Sequence, residues 1–148
     1  MGSRVMSDFI LFKSGKSEYA MEMEVIERID QLSTFTVIPN AHPFIDGMML
    51  YGSDAIKIVD FRKMTSNALD IHETLGNKLL IYKSPKGLFA IKVDEIEEIV
   101  SFDESQIKPY AHQVRVGDFI HTRGVVEYKN ELIMVVGSVV LPEDGAGV

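Results

Sequence analysis

Apolar and polar positions alternate along several short stretches of this chain. In the first, Tyr19, Met21 and Met23 share one side and Ala20 and Glu22 the other; in a later one, Phe89, Ile91 and Val93 alternate in the same way. A period of two is the signature of a strand with two unlike faces. Residues 8–13 also read as strand, and Ser14-Gly15-Lys16-Ser17 predicts the turn that joins them to the first stretch. The later stretch follows Ser84-Pro85-Lys86-Gly87, which contains the proline and glycine such a turn favours. A further hairpin is predicted from residues 48–50 and 55–60 around Gly52-Ser53-Asp54. Another is predicted from residues 125–128 and 132–136 around Lys129-Asn130. Helices are few and short. Residues 61–68 predict one that links the two halves, and residues 24–31 and 95–100 fit either helix or strand. The Gly- and acid-rich end, 141–148, is expected to fray.

The chain repeats itself. At an offset of 70, residues 12–29 lie on 82–99 without a gap: FKSGKSEYAMEMEVIERI over YKSPKGLFAIKVDEIEEI. Identities include Lys13/Lys83, Ala20/Ala90, Ile26/Ile96, Glu27/Glu97 and Ile29/Ile99. A second match follows at an offset of 77. It places Gly47-Met48-Met49 on Gly124-Val125-Val126, Tyr51 on Tyr128, Ile56 on Ile133 and Val59 on Val136. The change of offset assigns the second half a longer connection around residues 105–119. The same order of blocks in both halves is read as a duplication. Two copies are too few for a solenoid and predict two similar lobes packed together.

Composition narrows the class without naming a function. At 148 residues the chain has the length of one domain or of two small lobes sharing a core. Apolar residues make up 46% and charged residues 25%, so a packed core is expected rather than disorder. With no cysteine there is no disulfide framework, thiol nucleophile or thiolate metal site. The net charge of −7 argues against a nucleic-acid grip and against adhesion to anionic lipid. No apolar run approaches the roughly 18 residues of a membrane helix. The first seven residues lack the apolar region of a secretory signal and are read as a tail or a cloning remnant.

Chemical motifs are weak. Gly15-Lys16-Ser17 matches the end of a phosphate-binding loop, but Ile10 stands where that motif needs glycine, so a hairpin turn is the better reading. His42, His72, His112 and His121 lack the i, i+4 spacing of a helical metal site. Asp46 lies near His42 and Asp118 near His121, without an identifiable nucleophile beside either. The carboxylates Asp94-Glu95-Ile96-Glu97-Glu98, with Glu22, Glu24 and Glu27, read as a solvated acidic face. The methionines, among them Met21, Met23, Met48, Met49 and Met134, read mostly as core. No cofactor, metal or catalytic residue is expected.

The order of blocks resembles the CheW-like domains of bacterial chemotaxis over residues 9–141. Tyr19-Ala20-Met21-Glu22-Met23 is similar to the family's Y-G/A-I-D-I strand, and Ile26-Glu27-Arg28-Ile29 to its V-x-E-I. The most specific block, residues 38–47 (IPNAHPFIDG), is similar to V-P-N-A-P-x-F/Y-V/I-x-G. Residues 56–62 (IKIVDFR) resemble V-x-P-V-I-D-L-R, residues 89–96 resemble V-G-L-x-V-D-x-V, and Arg123-Gly124-Val125 resembles a late R-G-V.

The resemblance implies a mainly β fold: two packed five-stranded SH3-like β-barrel lobes with a few short helices. It implies one CheW-like domain over 8–141, with lobes near 12–75 and 79–141 and terminal segments free to cross between them. The implied role is a non-enzymatic cytoplasmic adaptor, placed at receptor arrays on the inner face of the membrane. It would couple the cytoplasmic tip of a chemoreceptor, held in a groove between lobes, to the regulatory domain of a CheA-type histidine kinase, held on an apolar barrel surface. Implied partner contacts are Ile26, Arg28, Phe44, Gly47, Met48, Gly52, Phe89 and Arg123. The chain departs from the pattern at several points. Gly52 replaces the arginine of the family's N-L-R-G, Arg28 replaces a glutamate, and Lys57 replaces a strand proline. Val135-Val136-Gly137 stands for L-L-D, and residues 62–66 replace an R-x-x-F-G end. The alternatives are a CheW-like module rewired to another kinase or a polar-localisation scaffold, and a small-ligand protein or enzyme built on the barrels.

Overall fold

The computed structural model describes residues 5–67 and 69–143. The fold is mainly β, with ten strands in two five-stranded sheets. In chain order the strands are β1 (Met6–Ser14), β2 (Ser17–Glu22), β3 (Ile26–Gln31), β4 (Ile45–Tyr51) and β5 (Asp54–Asp60), then β6 (Lys78–Ser84), β7 (Gly87–Val93), β8 (Glu95–Asp103), β9 (Ile120–Tyr128) and β10 (Glu131–Val139). One short helix, α1 (Phe61–Thr65), follows β5, and single 3-10 turns occupy Met23–Val25 and Glu104–Gln106. Both ambiguous stretches are strands, β3 and β8. The end of the predicted linking helix, Ala68, and residues 144–148 of the expected frayed end lie outside the described residues.

Sheet one runs β8-β1-β2-β10-β9 and sheet two β3-β6-β7-β5-β4. The expected lobe limits, 12–75 and 79–141, do not coincide with the sheets. Each sheet takes its first hairpin from one half of the chain and its other three strands from the other half. The reason lies in the connections. A single residue, Asp94, separates β7 from β8, and three residues separate β2 from β3. Linkers that short turn the chain directly from one sheet into the other.

The repeat is carried into the register. In sheet one, β2 pairs in parallel with β10, Ala20 opposite Val135; in sheet two, β7 pairs in parallel with β5, Ala90 opposite Ile58. The edge strands β3 and β8 carry a bulge at equivalent points. Ile26 and Arg28 pair with consecutive residues Tyr82 and Ile81, leaving Glu27 extra; Ile96 and Glu98 pair with Phe12 and Leu11, leaving Glu97 extra. The repeated glutamate is thus the bulged residue in both copies, and a bulge bends an edge strand away from further pairing.

The first hairpin of each half is buried on both faces. Phe9, Leu11 and Ala20 fill the interior of sheet one with Phe102, Val126, Ile133 and Val135. Leu79, Ile81 and Ala90 fill sheet two with Ile56 and Ile58. The intervening residues, Ile10, Phe12, Tyr19 and Met21 from one hairpin and Leu80, Tyr82, Phe89 and Ile91 from the other, form one core between the sheets. Two-sided burial explains why 9–12 and 79–82 are unbroken apolar runs. Each large side chain in that core is worth roughly 1.5–3 kcal/mol of transfer free energy.

Each sheet is closed by a matched pair of backbone bridges. Thr36, beyond β3, pairs with Met48 of β4, and Lys108, beyond β8, pairs with Val125 of β9. All four N–H···O bonds are 2.8 Å. The residue before each bridge is the repeated glycine. A Cβ on Gly47 would overlap the Thr36 carbonyl, and one on Gly124 the Lys108 carbonyl. Gly47 therefore serves closure of the sheet.

Two carboxylates, Asp60 buried and Asp94 half-buried, tie the loops to this frame. Asp60, fully buried at the end of β5, caps α1 by accepting from Lys63 N at 3.1 Å. It also accepts from Thr74 N at 2.9 Å and Thr74 Oγ1 at 2.5 Å. Lys92 Nζ lies 3.8 Å from Asp60 and 2.5 Å from Asp46, so the charge is compensated inside the fold. Asp94 accepts from Gly15 N at 2.6 Å, Leu75 N at 2.8 Å and Gly76 N at 3.1 Å, pinning the β1–β2 turn of sheet one to the approach of β6 in sheet two. Asp94 is a structural residue and not part of a solvated acidic face. Gly15 itself has φ +62°, so the Gly-Lys-Ser stretch is a hairpin turn.

Two predictions follow from closure and capping. Gly47→Ala and Gly124→Ala should each lower the unfolding free energy by about 2 kcal/mol or more, whereas Gly52→Ala, with φ +64° and open space around it, should cost only about 1 kcal/mol. Urea unfolding checks the ranking, and equal losses at all three would refute the closure role. Asp60→Ala should cost about 3 kcal/mol by leaving the Lys63 N–H and both Thr74 donors without their acceptor, and Thr74→Val about 1–2 kcal/mol, read by the same titration.

Candidate functional site

The surface offers apolar strand edges. Ile29 of β3 lies opposite Leu80, and Ile99 of β8 lies opposite Ile10. Cross-strand partners point to the same face. Leu80 and Ile10 belong to the core between the sheets, so Ile29 and Ile99 extend that core to its surface rim, where they are 38% and 56% exposed. They are equivalent residues of the repeat. A second apolar patch lies at the other edge of sheet two. Met48 and Leu50 point outward from β4, while Phe35 and Val37 flank the Thr36–Met48 bridge and are also exposed.

The expected contact residues do not form one site. Ile26 and Phe89 are buried in the inter-sheet core, at 6% and 1% exposure. Gly47 is buried under the Thr36 carbonyl. Arg28 is exposed beside the Glu27 bulge, opposite Ile81 and on the other face of β3 from Ile29. Met48 is exposed on β4, and Gly52 occupies the open β4–β5 turn. Phe44 is half-buried, its ring 4.8 Å from His42 and 6.0 Å from Phe119. Arg123 on β9 is held by Glu104 and by Glu22 at 3.6 Å, which joins β9 to β2 and to the turn after β8. Only Arg28, Met48 and Gly52 of the eight lie open on β3, β4 and the β4–β5 turn.

Sequence reading missed Ile29, Ile99, Leu50, Phe35 and Val37 as surface residues. Ile29/Ile99 stood out as a repeat identity, but a repeated isoleucine looks the same whether it is buried or at a rim.

The histidine pairs do not assemble a base. Asp46 bonds Lys92 and lies 3.7 Å from Lys63, while His42 Nδ1 accepts from Phe44 N at 3.1 Å. Asp118 pairs with Arg115. Among the described residues no group of three or more His, Asp or Glu side chains is placed to hold a metal ion. No helix is long and apolar enough to cross a membrane.

The Glu18 carboxylate is perturbed. Glu18 on β2 shares a hydrogen bond with Glu97, the bulged residue of β8, and this contact together with some burial raises its pKa above the ordinary 4.5; Glu131 and Lys13 act in the opposite direction. The folded chain therefore holds this proton more tightly than the unfolded chain, and its stabilising share is lost as the pH rises through the raised pKa. Glu18→Gln should gain stability relative to the parent as the pH rises above about 4.5, measured as the difference in melting temperature between acid and neutral buffer. A constant difference across that range would refute the shared proton.

Comparison with known proteins agrees with this architecture. The family model for the CheW-like domain matches residues 8–139. A chemotaxis protein CheW from Klebsiella aerogenes is 24% identical over 109 residues, which cover 73% of this chain and 64% of that protein's length. The crystal structure of the scaffolding protein TtCheW from Thermoanaerobacter tengcongensis superposes with a TM-score of 0.79 at 16% identity, covering 90% of each chain. Two interlocked five-stranded sheets and a family match across nearly all of both establish that the chain belongs to the CheW-like domain family.

Proposed function

We propose that this chain is a non-enzymatic scaffold of a chemotaxis system, coupling the regulatory domain of a CheA-type histidine kinase to the cytoplasmic tip of a chemoreceptor. The observation that carries this reading is the family match over residues 8–139 on a fold that leaves Ile29, Ile99, Met48 and Leu50 exposed on its edge strands. Apolar strand edges dock helices and barrels through surface alone. The receptor tip, a helical element, is assigned to the rim residues Ile29 of β3 and Ile99 of β8. The kinase domain is assigned to Met48 and Leu50, exposed on one face of β4. The place of action is the cytoplasm, at receptor arrays.

The departures at Gly52 and Arg28 bear on partner choice. Against the family pattern that the chain resembles, Gly52 stands in an open turn in place of an arginine, and Arg28 stands at an edge in place of a glutamate. Among the described residues Arg28 forms no ion pair, so its charge is available to an acidic partner surface. Charge reversal at a rim changes partner selection more than fold.

The test is NMR titration of the labelled chain with each partner separately. Ile29→Asp and Ile99→Asp should each weaken receptor-tip binding about tenfold or more, and Leu50→Asp should weaken kinase-domain binding similarly, since central apolar contacts carry about 1.4 kcal/mol or more each. Arg28→Glu should alter affinity for one partner while leaving the melting temperature unchanged. Binding to neither partner would remove the coupling role and leave a module rewired to another kinase or scaffold.

A further inference from the structure

The repeat allows the two halves to be compared at the seam where each sheet closes on itself. In sheet one the edge strands β8 and β9 stand at opposite ends of the strand order, yet their side chains meet. Tyr128 Oη donates to the Glu98 carboxylate. Lys129 Nζ lies 3.8 Å from the same carboxylate and 5.2 Å from the centre of the Tyr128 ring. One carboxylate on β8 thus receives a phenol and an ammonium from β9 and the turn after it.

Sheet two has the equivalent seam between β3 and β4. The offsets of the repeat place Arg28 on Glu98, Tyr51 on Tyr128 and Gly52 on Lys129. The registers agree. Arg28 pairs with Ile81 as Glu98 pairs with Leu11, and Tyr51 pairs with Asp54 as Tyr128 pairs with Glu131. The chemistry differs: a cation stands where the acid was, and the ammonium is gone. The family pattern that the chain resembles has a glutamate at 28 and an arginine at 52, the same acid–base order as Glu98 and Lys129. The departures at Arg28 and Gly52 are therefore one change at one seam. It leaves a cation and a phenol with no carboxylate between them. Among the described residues Arg28 is exposed without an ion pair, and Tyr51 Oη makes no hydrogen bond. A Cβ on Gly52 would meet nothing within 4 Å, so the approach is open.

We propose that this seam clasps a glutamate or aspartate side chain of the kinase regulatory domain, which supplies the carboxylate that Glu98 supplies in the other half. The guanidinium of Arg28 offers a planar fork that fits a carboxylate, and Tyr51 offers the phenol O–H that Tyr128 offers to Glu98. Leu50, 74% exposed beside Tyr51 on β4, adds an apolar contact for the docked segment. The choice of partner rests on the coupling reading, which seats that domain on Met48 and Leu50. The need for a carboxylate rests on the seam.

The test titrates the ¹⁵N-labelled full chain with the kinase regulatory domain. Binding should shift the Arg28 Nε–Hε signal and the Tyr51 and Gly52 amides. Affinity should fall about tenfold in Arg28→Gln, and likewise in Gly52→Glu, which fills the seam with a carboxylate of the chain's own. Arg28 is exposed, and Lys129 holds φ +50° at the point equivalent to Gly52, so both variants keep the fold. One carboxylate of the domain, located by Glu→Gln and Asp→Asn substitution, should cost the parent complex the same factor and the Arg28→Gln complex nothing further. Equal affinity of the three chains would overturn the clasp and leave the coupling reading standing. A domain that does not bind the parent chain would remove the coupling reading, and the seam is then read without a partner. The carboxyl introduced by Gly52→Glu should titrate lower with Arg28 present than in the Gly52→Glu, Arg28→Gln double variant, because the guanidinium favours the charged form. An identical pKa in both chains would refute the clasp whatever binds.

Discussion

The shared core between the two sheets is the constraint on which the rest of the molecule depends. Phe12, Tyr19 and Met21 on one side and Tyr82, Phe89 and Ile91 on the other belong to both sheets at once. Neither sheet can bury its first hairpin without the other. The chain crosses between sheets through Asp94 and through the 3-10 turn at Met23–Val25, so each sheet is completed by strands from the opposite half. Covalent connection and apolar burial thus enforce the same arrangement, which is the consistency a single native state requires.

That interlocking decides where the surface can interact. The strands flanking the shared core are central and covered, and the remaining exposed edges are β3 and β8 on one side and β4 and β9 on the other. The bulges at Glu27 and Glu97 bend two of these edges. The bridges beyond Thr36 and Lys108 occupy the others, which is why Gly47 and Gly124 are required. Ile29, Ile99, Met48 and Leu50 are apolar residues on these edges that the closing geometry leaves in solvent. A surface of this kind suits assembly with other proteins.

The duplication is close in register and unequal in chemistry. Glutamates at both bulges, alanines at both parallel pairings and glycines at both bridges preserve the backbone plan. Asp60 against Gly137 and Phe61 against Ser138 break it, and these two positions separate a capped helix from an extended exit. Two halves with the same backbone plan therefore leave their sheets by different routes, one through a helix and one through an extended strand.

The fold class could be read from the chain alone because its causes are local. The alternation at 18–23 and 88–93, the turn residues at Gly15 and Pro85-Lys86-Gly87, and the paired offsets each reside in neighbouring residues. The family blocks added the two-lobe plan. The pairing of halves was not legible. The same hairpins satisfy their local preferences whichever sheet receives them, and only simultaneous burial of Phe12 and Tyr82 in one core decides the exchange. The same limit hid the surface. Ile29 and Ile26 are alike in sequence, yet one is at a rim and the other in the core. Asp94 reads as one more acidic residue until three backbone N–H groups converge on it. Sequence determined which strands form, because strand and turn propensities act over a few residues. Tertiary structure decided which side chains remain for a partner, because exposure is set by what packs from elsewhere in the chain.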